Sequence, residues 1–419
     1  VRILHLTDLF APSIGGAETH VLSLVRERVR RGHEMSVVTM VKPDGHPSDA
    51  IEDVGFRVHR IEGFYERFGR AFASVERAPY HPPFPDPMVA ATLRRIIERE
   101  RPDAVHAHNW MIYSYLAFKT PRHPPVMWMQ HDYSLACAKK TRRYVSVDER
   151  CPGAEVARCV RCAAPQYGSV KGTAVTLGLY ASNATLLRRC DLVVANSEPV
   201  ARLAAEATGL RGEVAVVSSF VDDDLAAQAD AVERPAFLPP RDGYLLYVGG
   251  LGPHKGVQDL LEAYARLVDP PPLVVLGVPM AGSPKRWPDG VVVRERVAHP
   301  EVMAALKHCA MAVVPSRWEE PFGFVALEAG AVGRPVVATD VGGLRGVVVD
   351  GVTGVLVRPR DPGALAEAIA SLLEDPARAD ALGEAGRAHA AGYSVRLAAP
   401  RFDAMLERLV ADRRAAPPG

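Results

Sequence analysis

Two glutamates, Glu320 and Glu328, stand eight residues apart in the stretch PSRWEEPFGFVALEAGAVGRPVVATDVGG, where an apolar run hands over to a short helix-like segment through Pro-Phe-Gly-Phe. If Phe322 to Val325 begins a helix, the N–H groups near Gly323, Phe324 and Val325 find no carbonyl within it and point outward, ready for a diphosphate or for sugar oxygens. Glu328, about one turn further in, can accept two hydroxyl hydrogen bonds, as a ribose diol requires; Glu320, before the helix, would sit nearer the other end of the same ligand. The plainer alternative is a pair of solvated carboxylates that the helix dipole alone would favour.

Glycine-rich turns occur where two strand-like runs lead into helix-like ones. Gly15, Gly16, Ala17 and Glu18 follow the first strand, and GGLGPHKG, which contains Gly250 and Lys255, follows a later one. Glycine lets backbone approach a ligand, a helix start favours an anion, and Lys255 adds a point charge suited to phosphate oxygens. Either turn alone could be no more than a tight connection; one in each half of the chain is more informative. His131 ends the apolar run PVMWMQHD, at the strand edge where open sheets bind ligands, with Asp132 beside it to orient the ring or meet substrate. His106 and His108, in VHAHN, read as structural.

Four of the six cysteines, Cys137, Cys151, Cys159 and Cys162, crowd into the segment that leaves His131. CVRC has a metal-ligand gap, yet the other two are too far apart for a full zinc-ribbon pattern. Four thiolates in a reducing cytoplasm could hold a structural zinc; unpaired thiols or disulfides are the alternatives. Such a metal would be architectural, with no part in a reaction. Aromatics interleave with prolines in GFYERFGRAFASVERAPYHPPFPDP and could stack on sugar rings, although ordinary packing explains any one of them.

The elements that must position these residues follow a repeated pattern. VRILHLTDLF, a helix-like THVLSLVRERVRR and EMSVVTM make a βαβ opening, and Val-rich runs at DAVHAH, PVMWMQH, DLVVANS and EVAVVSS alternate with helical periodicity. Strands of that kind belong to a parallel sheet covered on both faces. After residue 221 a polar, proline-bearing stretch, 222–243, reads as a linker; the pattern then restarts with GYLLYVGG and runs to about residue 394. The expectation is an α/β chain of two Rossmann-like doubly wound domains, 1–221 and 244–394, facing a cleft. A last helix, 395–413, must dock an apolar face on one of them.

Composition narrows the partners. With 50 Lys plus Arg against 49 Asp plus Glu, no global field draws in nucleic acid or an acidic membrane. No uninterrupted apolar run reaches about 20 residues, the length a membrane span needs, so a cytoplasmic protein without an integral membrane segment is expected. The residues leave the oligomeric state unread.

Taken together, GGAE, MWMQHD, YVGGLGPHKG, EEPFGFVALEAGAVGRPVVATDVGG and DGVTGVLV resemble the retaining glycosyltransferases of family four, which have the GT-B fold. Glu320 and Glu328 fit the family's E-x7-E motif. The resemblance implies that Glu328 holds the ribose of a nucleotide diphosphate sugar and Glu320 the sugar hydroxyls. Lys255 and the amides around Phe322, Gly323, Phe324 and Val325 would bind the diphosphate, approached by Gly15, Gly16 and Gly250. His131 would meet the sugar near the reacting centre. It further implies transfer with retention, no catalytic metal or other cofactor, and a last helix that returns to the first domain; the near-neutral charge and the lack of a basic amphipathic helix favour a small soluble, natural-product or glycan acceptor over a lipid-embedded one.

Three positions depart from the family pattern. Gly250 stands where an arginine is usual, a loss that His254, Arg317 or Lys285 could make good; Arg345 and Gly346 replace the usual glutamate; Ser219 and Phe220 replace an Asn-Gly. A catalytically silent nucleotide-sugar-binding subunit, or another two-lobed sugar enzyme such as a phosphorylase or epimerase, is the alternative. A dinucleotide oxidoreductase is disfavoured because neither glycine turn has the G-x-G-x-x-G spacing.

Overall fold

The computed structural model describes residues 1–11, 15–41, 55–65, 81–144, 149–208 and 214–415. Two compact units account for the chain: residues 1–145, 151–218 and 396–419 form the first, and residues 146–150 and 219–395 the second.

The first unit is built on a parallel sheet of β1 (Arg2–Leu6), β2 (Glu34–Met40), β3 (Arg57–Ile61), β4 (Ala104–Ala107), β5 (Val126–Gln130), β8 (Leu192–Ala195) and β9 (Val214–Val216), in the order β3-β2-β1-β4-β5-β8-β9. Every residue of β4 and β5 is buried, which is why these strands read as unbroken apolar runs. The order reverses between β1 and β4, so the carboxyl ends of β1, β4 and β5 flank a switch point. Asp8, His108 and His131 lie just past those ends. The helix Gly16–Arg30 joins β1 to β2. The helix Pro87–Glu100 starts cleanly because Asp86 caps the amides of Met88 and Val89 and proline occupies its first position.

Sequence periodicity passed over five elements here. β3, RVHRI, alternates charged and apolar residues at the sheet edge. The cysteine-bearing segment forms a two-stranded ribbon of β6 (Arg143–Tyr144) and β7 (Glu149–Arg150), followed by the helices Val156–Tyr167 and Ser169–Leu186. These two helices pack closely, with Gly172 set against the Ala163–Ala164 backbone. Residues 66–80 of the aromatic and proline stretch lie outside the described residues.

The second unit carries β10 (Tyr244–Val248), β11 (Leu273–Leu276), β12 (Val291–Arg294), β13 (Cys309–Val314), β14 (Val336–Thr339) and β15 (Gly354–Val357), all parallel, in the order β12-β11-β10-β13-β14-β15. Its switch point falls between β10 and β13. The stretch expected to be a linker is folded: residues Leu225–Ala231 form a helix, and Leu225, Ala229 and Leu238 are buried in this unit's core. Apolar residues four apart on a short helix are enough to anchor it, and the prolines around it had hidden the pattern. The last helix runs Val395–Ala415, and from Arg396 onward it belongs to the first unit. Among the described residues no helix is long and apolar enough to cross a membrane.

Candidate active site

In the second unit, the loops after β10 and β13 meet through backbone. Lys255 ends a 3-10 turn, Pro253–Lys255, closed by Gly256 at φ 73°; a Cβ on Gly256 would lie 1.7 Å from the Pro315 carbonyl oxygen. Only glycine allows that approach. It brings Lys255 Nζ to 2.6 Å from Glu320 Oε1, the same oxygen that accepts from Ser316 Oγ at 2.7 Å. Burial, the largest single influence, pushes the Glu320 carboxyl up, but the Lys255 charge and the hydrogen bonds from Lys255 and Ser316 together hold it below its ordinary range. Lys255 also lies over the Trp318 ring, 4.9 Å from its centroid.

The expected helix is present as Phe324–Ala331, with Gly323 as its N-cap at φ 111°. Its opening amides, those of Phe324 and Val325, have no preceding helical carbonyl to bond. Phe322 is buried against Phe324 and Tyr393 and so fixes the turn. Glu328 lies inside this helix, nearly buried, and its Oε1 is 2.8 Å from His299 Nε2. The hydrogen bond to Glu328 raises the His299 pKa, against the opposing effect of burial. His299 is a site residue that sequence reasoning missed; a histidine in AHPE at a helix start carries no signal until β12 delivers it to Glu328.

The three stand-ins for an arginine at position 250 differ in their engagements. Arg317 forms a two-pronged ion pair with the buried Asp259, with Nε at 2.7 Å, and is committed there. His254 sets its ring edge-on to Trp318, and Lys285 is exposed. At Gly250 itself a Cβ would lie 2.8 Å from Met280 Sδ, so the methionine occupies the space where a longer side chain would start. Arg345 pairs with Asp340 at the surface.

In the first unit Gly15 precedes the helix Gly16–Arg30 as its N-cap, and a Cβ there would lie 2.2 Å from Glu18 Oε2. His131 is buried past the end of β5, with Nε2 3.0 Å from His108 Nδ1; burial drives its pKa down to about 4 against the opposing charge of Asp132, so the ring is neutral. Asp132 does not bond to this ring: its Oδ1 accepts from the Ser134 amide at 2.8 Å and closes its own turn. His106 and His108 are buried, as a structural reading requires, yet His108 is His131's direct partner.

Asp8 is a second residue that the sequence did not flag. It is fully buried past β1, where Oδ1 accepts from the Met111 amide at 3.0 Å and Oδ2 has no hydrogen-bond partner. Burial raises its pKa to about 7, in spite of the Lys140 charge and backbone hydrogen bonds.

Two histidine triples, His5/His106/His108 and His20/His108/His131, have ring nitrogens within 4.8 Å of one another. Both nitrogens of His5 and both of His108 are already engaged in hydrogen bonds, and the Arg28 guanidinium lies against His5 and His106. Neither triple therefore offers three free lone pairs to a cation.

The cysteines are all free thiols, which removes the disulfide alternative. Cys137, Cys151, Cys159 and Cys162 line one small hollow with Lys139, Arg143, Gly153 and Arg158. Burial raises the Cys137 pKa, opposed by backbone N–H groups of Arg142 and Lys139 that donate to its sulfur. Amides aimed at sulfur suit a thiolate ligand. Cys162 Sγ instead donates to the Arg143 carbonyl at 3.3 Å and Cys159 Sγ lies 3.5 Å from the Tyr180 hydroxyl. Among the described residues, no three of these sulfurs lie within 4.8 Å of one another.

Two doubly wound units, with buried carboxylates and a lysine gathered at the switch point of the second, define a GT-B glycosyltransferase. The family model for glycosyltransferase family 4 matches residues 14–225, and that for glycosyl transferases group 1 matches residues 230–389. A glycogen synthase of Mycobacterium tuberculosis is 31% identical, over 92% of this chain and 89% of its own length. A D-inositol 3-phosphate glycosyltransferase of Corynebacterium efficiens is 27% identical, over 93% and 90%. Among solved structures, a sucrose-phosphate synthase from Thermosynechococcus elongatus superposes with a TM-score of 0.71 at 20% identity, covering 98% of this chain and 99% of that one. HepE from Anabaena, in complex with UDP and glucose, gives 0.67 at 20% identity, over 97% and 99%. The chain belongs to glycosyltransferase family 4.

Proposed function

We propose that this glycosyltransferase moves a sugar from a nucleotide diphosphate sugar to an acceptor hydroxyl with retention and without a catalytic metal. The observation that carries the reading is the pair of buried carboxylates on the family's E-x7-E spacing, one bonded to Lys255 and the other set into the helix Phe324–Ala331. In this reading Glu328 binds the ribose diol, and Lys255 with the amides of Gly323, Phe324 and Val325 binds the diphosphate. Glu320 receives the sugar hydroxyls, and His131, Gly15 and Gly16 are the ligand-binding residues proposed for the first unit. Gly250 lets backbone approach the diphosphate. The anomeric carbon–oxygen bond to the diphosphate breaks, the acceptor oxygen forms its bond on the same face, and the acceptor proton passes to the departing phosphate. No protein nucleophile is required; the cation and oriented amides stabilise the leaving diphosphate, where electrostatic stabilisation counts most. Relatives that act on glycogen and on an inositol phosphate support a soluble glycan or small polar acceptor.

Calorimetric titration with UDP, GDP, ADP and TDP, with EDTA present and alongside Glu328→Ala, tests the donor site. Tight binding of one nucleotide that the variant loses is expected; no binding to any of them would overturn the assignment. Met280 filling the place beside Gly250 favours one second reading, a nucleotide-sugar-binding subunit that does not turn over. That reading predicts binding without release of sugar or nucleotide.

For the four cysteines we propose a structural zinc held by Cys137, Cys151, Cys159 and Cys162. The support is their common hollow and the two amides aimed at Cys137; binding would draw the sulfurs to the roughly 2.3 Å ligand distance of a thiolate site.

A further inference from the structure

A chain of hydrogen bonds runs through the first unit from Asp403 to His131. Arg28 Nε donates to Asp403 Oδ1 at 2.8 Å, and Arg28 Nη1 lies 3.0 Å from His5 Nε2. His5 Nδ1 lies 2.8 Å from His108 Nε2, and His108 Nδ1 lies 3.0 Å from His131 Nε2. Successive ring planes are inclined by only 9° and 20°, which suits in-plane N–H···N bonds. All of these groups are buried, and His131 Nδ1, at the far end, is a buried atom with no hydrogen-bond partner.

The direction of this chain is not free. A guanidinium can only donate, so His5 Nε2 must accept and the His5 proton sits on Nδ1. That proton leaves His108 Nε2 as an acceptor and places the His108 proton on Nδ1. His131 Nε2 must then accept in its turn, and a neutral His131 carries its one proton on Nδ1. Burial and the Arg28 charge hold His5 well below its ordinary pKa, and burial with the neighbouring histidines does the same for His108, which closes the doubly protonated alternative.

We propose that Arg28 sets the tautomer of His131 through His5 and His108, so that His131 presents a fixed Nδ1–H donor to an oxygen acceptor on the ligand. On the proposed function, on which the ligand's identity rests, that acceptor is a hydroxyl oxygen of the donor sugar. Arg28, His5 and His108 are positioning residues. A sugar whose group at that place can only donate, such as an ammonium, would be selected against.

Long-range 1H–15N correlation spectra of the full chain labelled at histidine nitrogen, assigned by single substitutions, read the tautomers directly. His5, His108 and His131 are expected as neutral Nδ1–H forms. His5→Phe keeps a ring of similar shape and the Arg28–Asp403 pair but removes the link, and should leave His131 as a mixture of both tautomers. His5→Gln, whose carbonyl can accept from Arg28 and whose amide can donate to His108, should restore the single form. An Nε2–H His131 in the native protein, or an unchanged Nδ1–H form in His5→Phe, would overturn the proposal. The native spectrum decides even if a variant does not fold. Because the tautomer is read without substrate, failure of the sugar assignment would appear in the nucleotide titration and leave this result standing.

Discussion

Lys255 Nζ lies 2.6 Å from Glu320 Oε1, so the cation expected at the diphosphate and the carboxylate expected at the sugar are hydrogen-bonded to each other. The pair spans loops that follow different strands and holds Glu320 ionised although it is buried. One contact therefore serves both the fold and the proposed chemistry.

Lys255→Ala should lower stability by about 2–3 kcal/mol, because it leaves a buried carboxylate without its cation. Glu320 has a depressed folded-state pKa, so its contribution is present above the ordinary carboxylate range and lost as pH falls through the folded value. The variant's destabilisation should consequently be largest at neutral pH and shrink as pH falls, as read by denaturant unfolding followed by circular dichroism at neutral and acid pH. Transfer activity should fall at least about 100-fold, the scale for loss of a charge that stabilises a leaving group. A destabilisation equal at both pH values would show that the pair is not formed in solution.

The His299–Glu328 contact works in the opposite sense. The folded-state pKa of His299 is raised, so the stability it contributes is complete below the unfolded value and is lost as pH rises through the folded one. Melting temperatures compared across pH 6 to 9, a range set by the ordinary histidine pKa of about 6.5, should decline less in His299→Gln than in the native protein. Equal slopes would remove the contact from the account.

Asp8 predicts a gain. Its pKa of about 7 means that the folded protein binds a proton between roughly pH 4 and 7 that the unfolded chain does not, so stability falls with rising pH across that window. Asp8→Asn should stabilise the protein at pH 8 by on the order of 3 kcal/mol. Denaturant unfolding at pH 5 and pH 8 checks this: the gain should shrink at the lower pH. Activity lost together with a gain in stability would further mark Asp8 as a functional group.

For the cysteine hollow, elemental analysis of the purified chain should find about one zinc, and the doubly substituted Cys137→Ser/Cys159→Ser protein should contain none and melt earlier. Four freely titrating thiols in native protein without metal would refute the site.

Much of the architecture was readable because buried parallel strands announce themselves. β5 and β13 are apolar on nearly every residue, and the turns after β10 and β13 carry glycine where backbone must come close. Glu320, Glu328 and Lys255 were readable for the same reason, since their places depend on local strand-to-helix turns. The helix Leu225–Ala231 was not, because its short apolar pair lay among prolines. Asp8, His299 and the histidine chain were hidden for a deeper reason: their partners lie on other strands or helices, and within their own segments they resemble ordinary core or surface residues. Nothing in VRILHL says that its histidine will meet Arg28.

The contact between Arg28 and Asp403 joins residues 375 apart in sequence. On the ribosome, the segments that supply Arg28 and all seven strands of its sheet emerge long before the carboxylate that neutralises it. The whole of the second unit, residues 146–150 and 219–395, lies between them in sequence. The first unit therefore cannot finish folding in order of synthesis: a buried guanidinium waits, solvated and unpaired, until the second unit has been made. Completion of the first unit thus becomes a late event that cannot precede synthesis of the second.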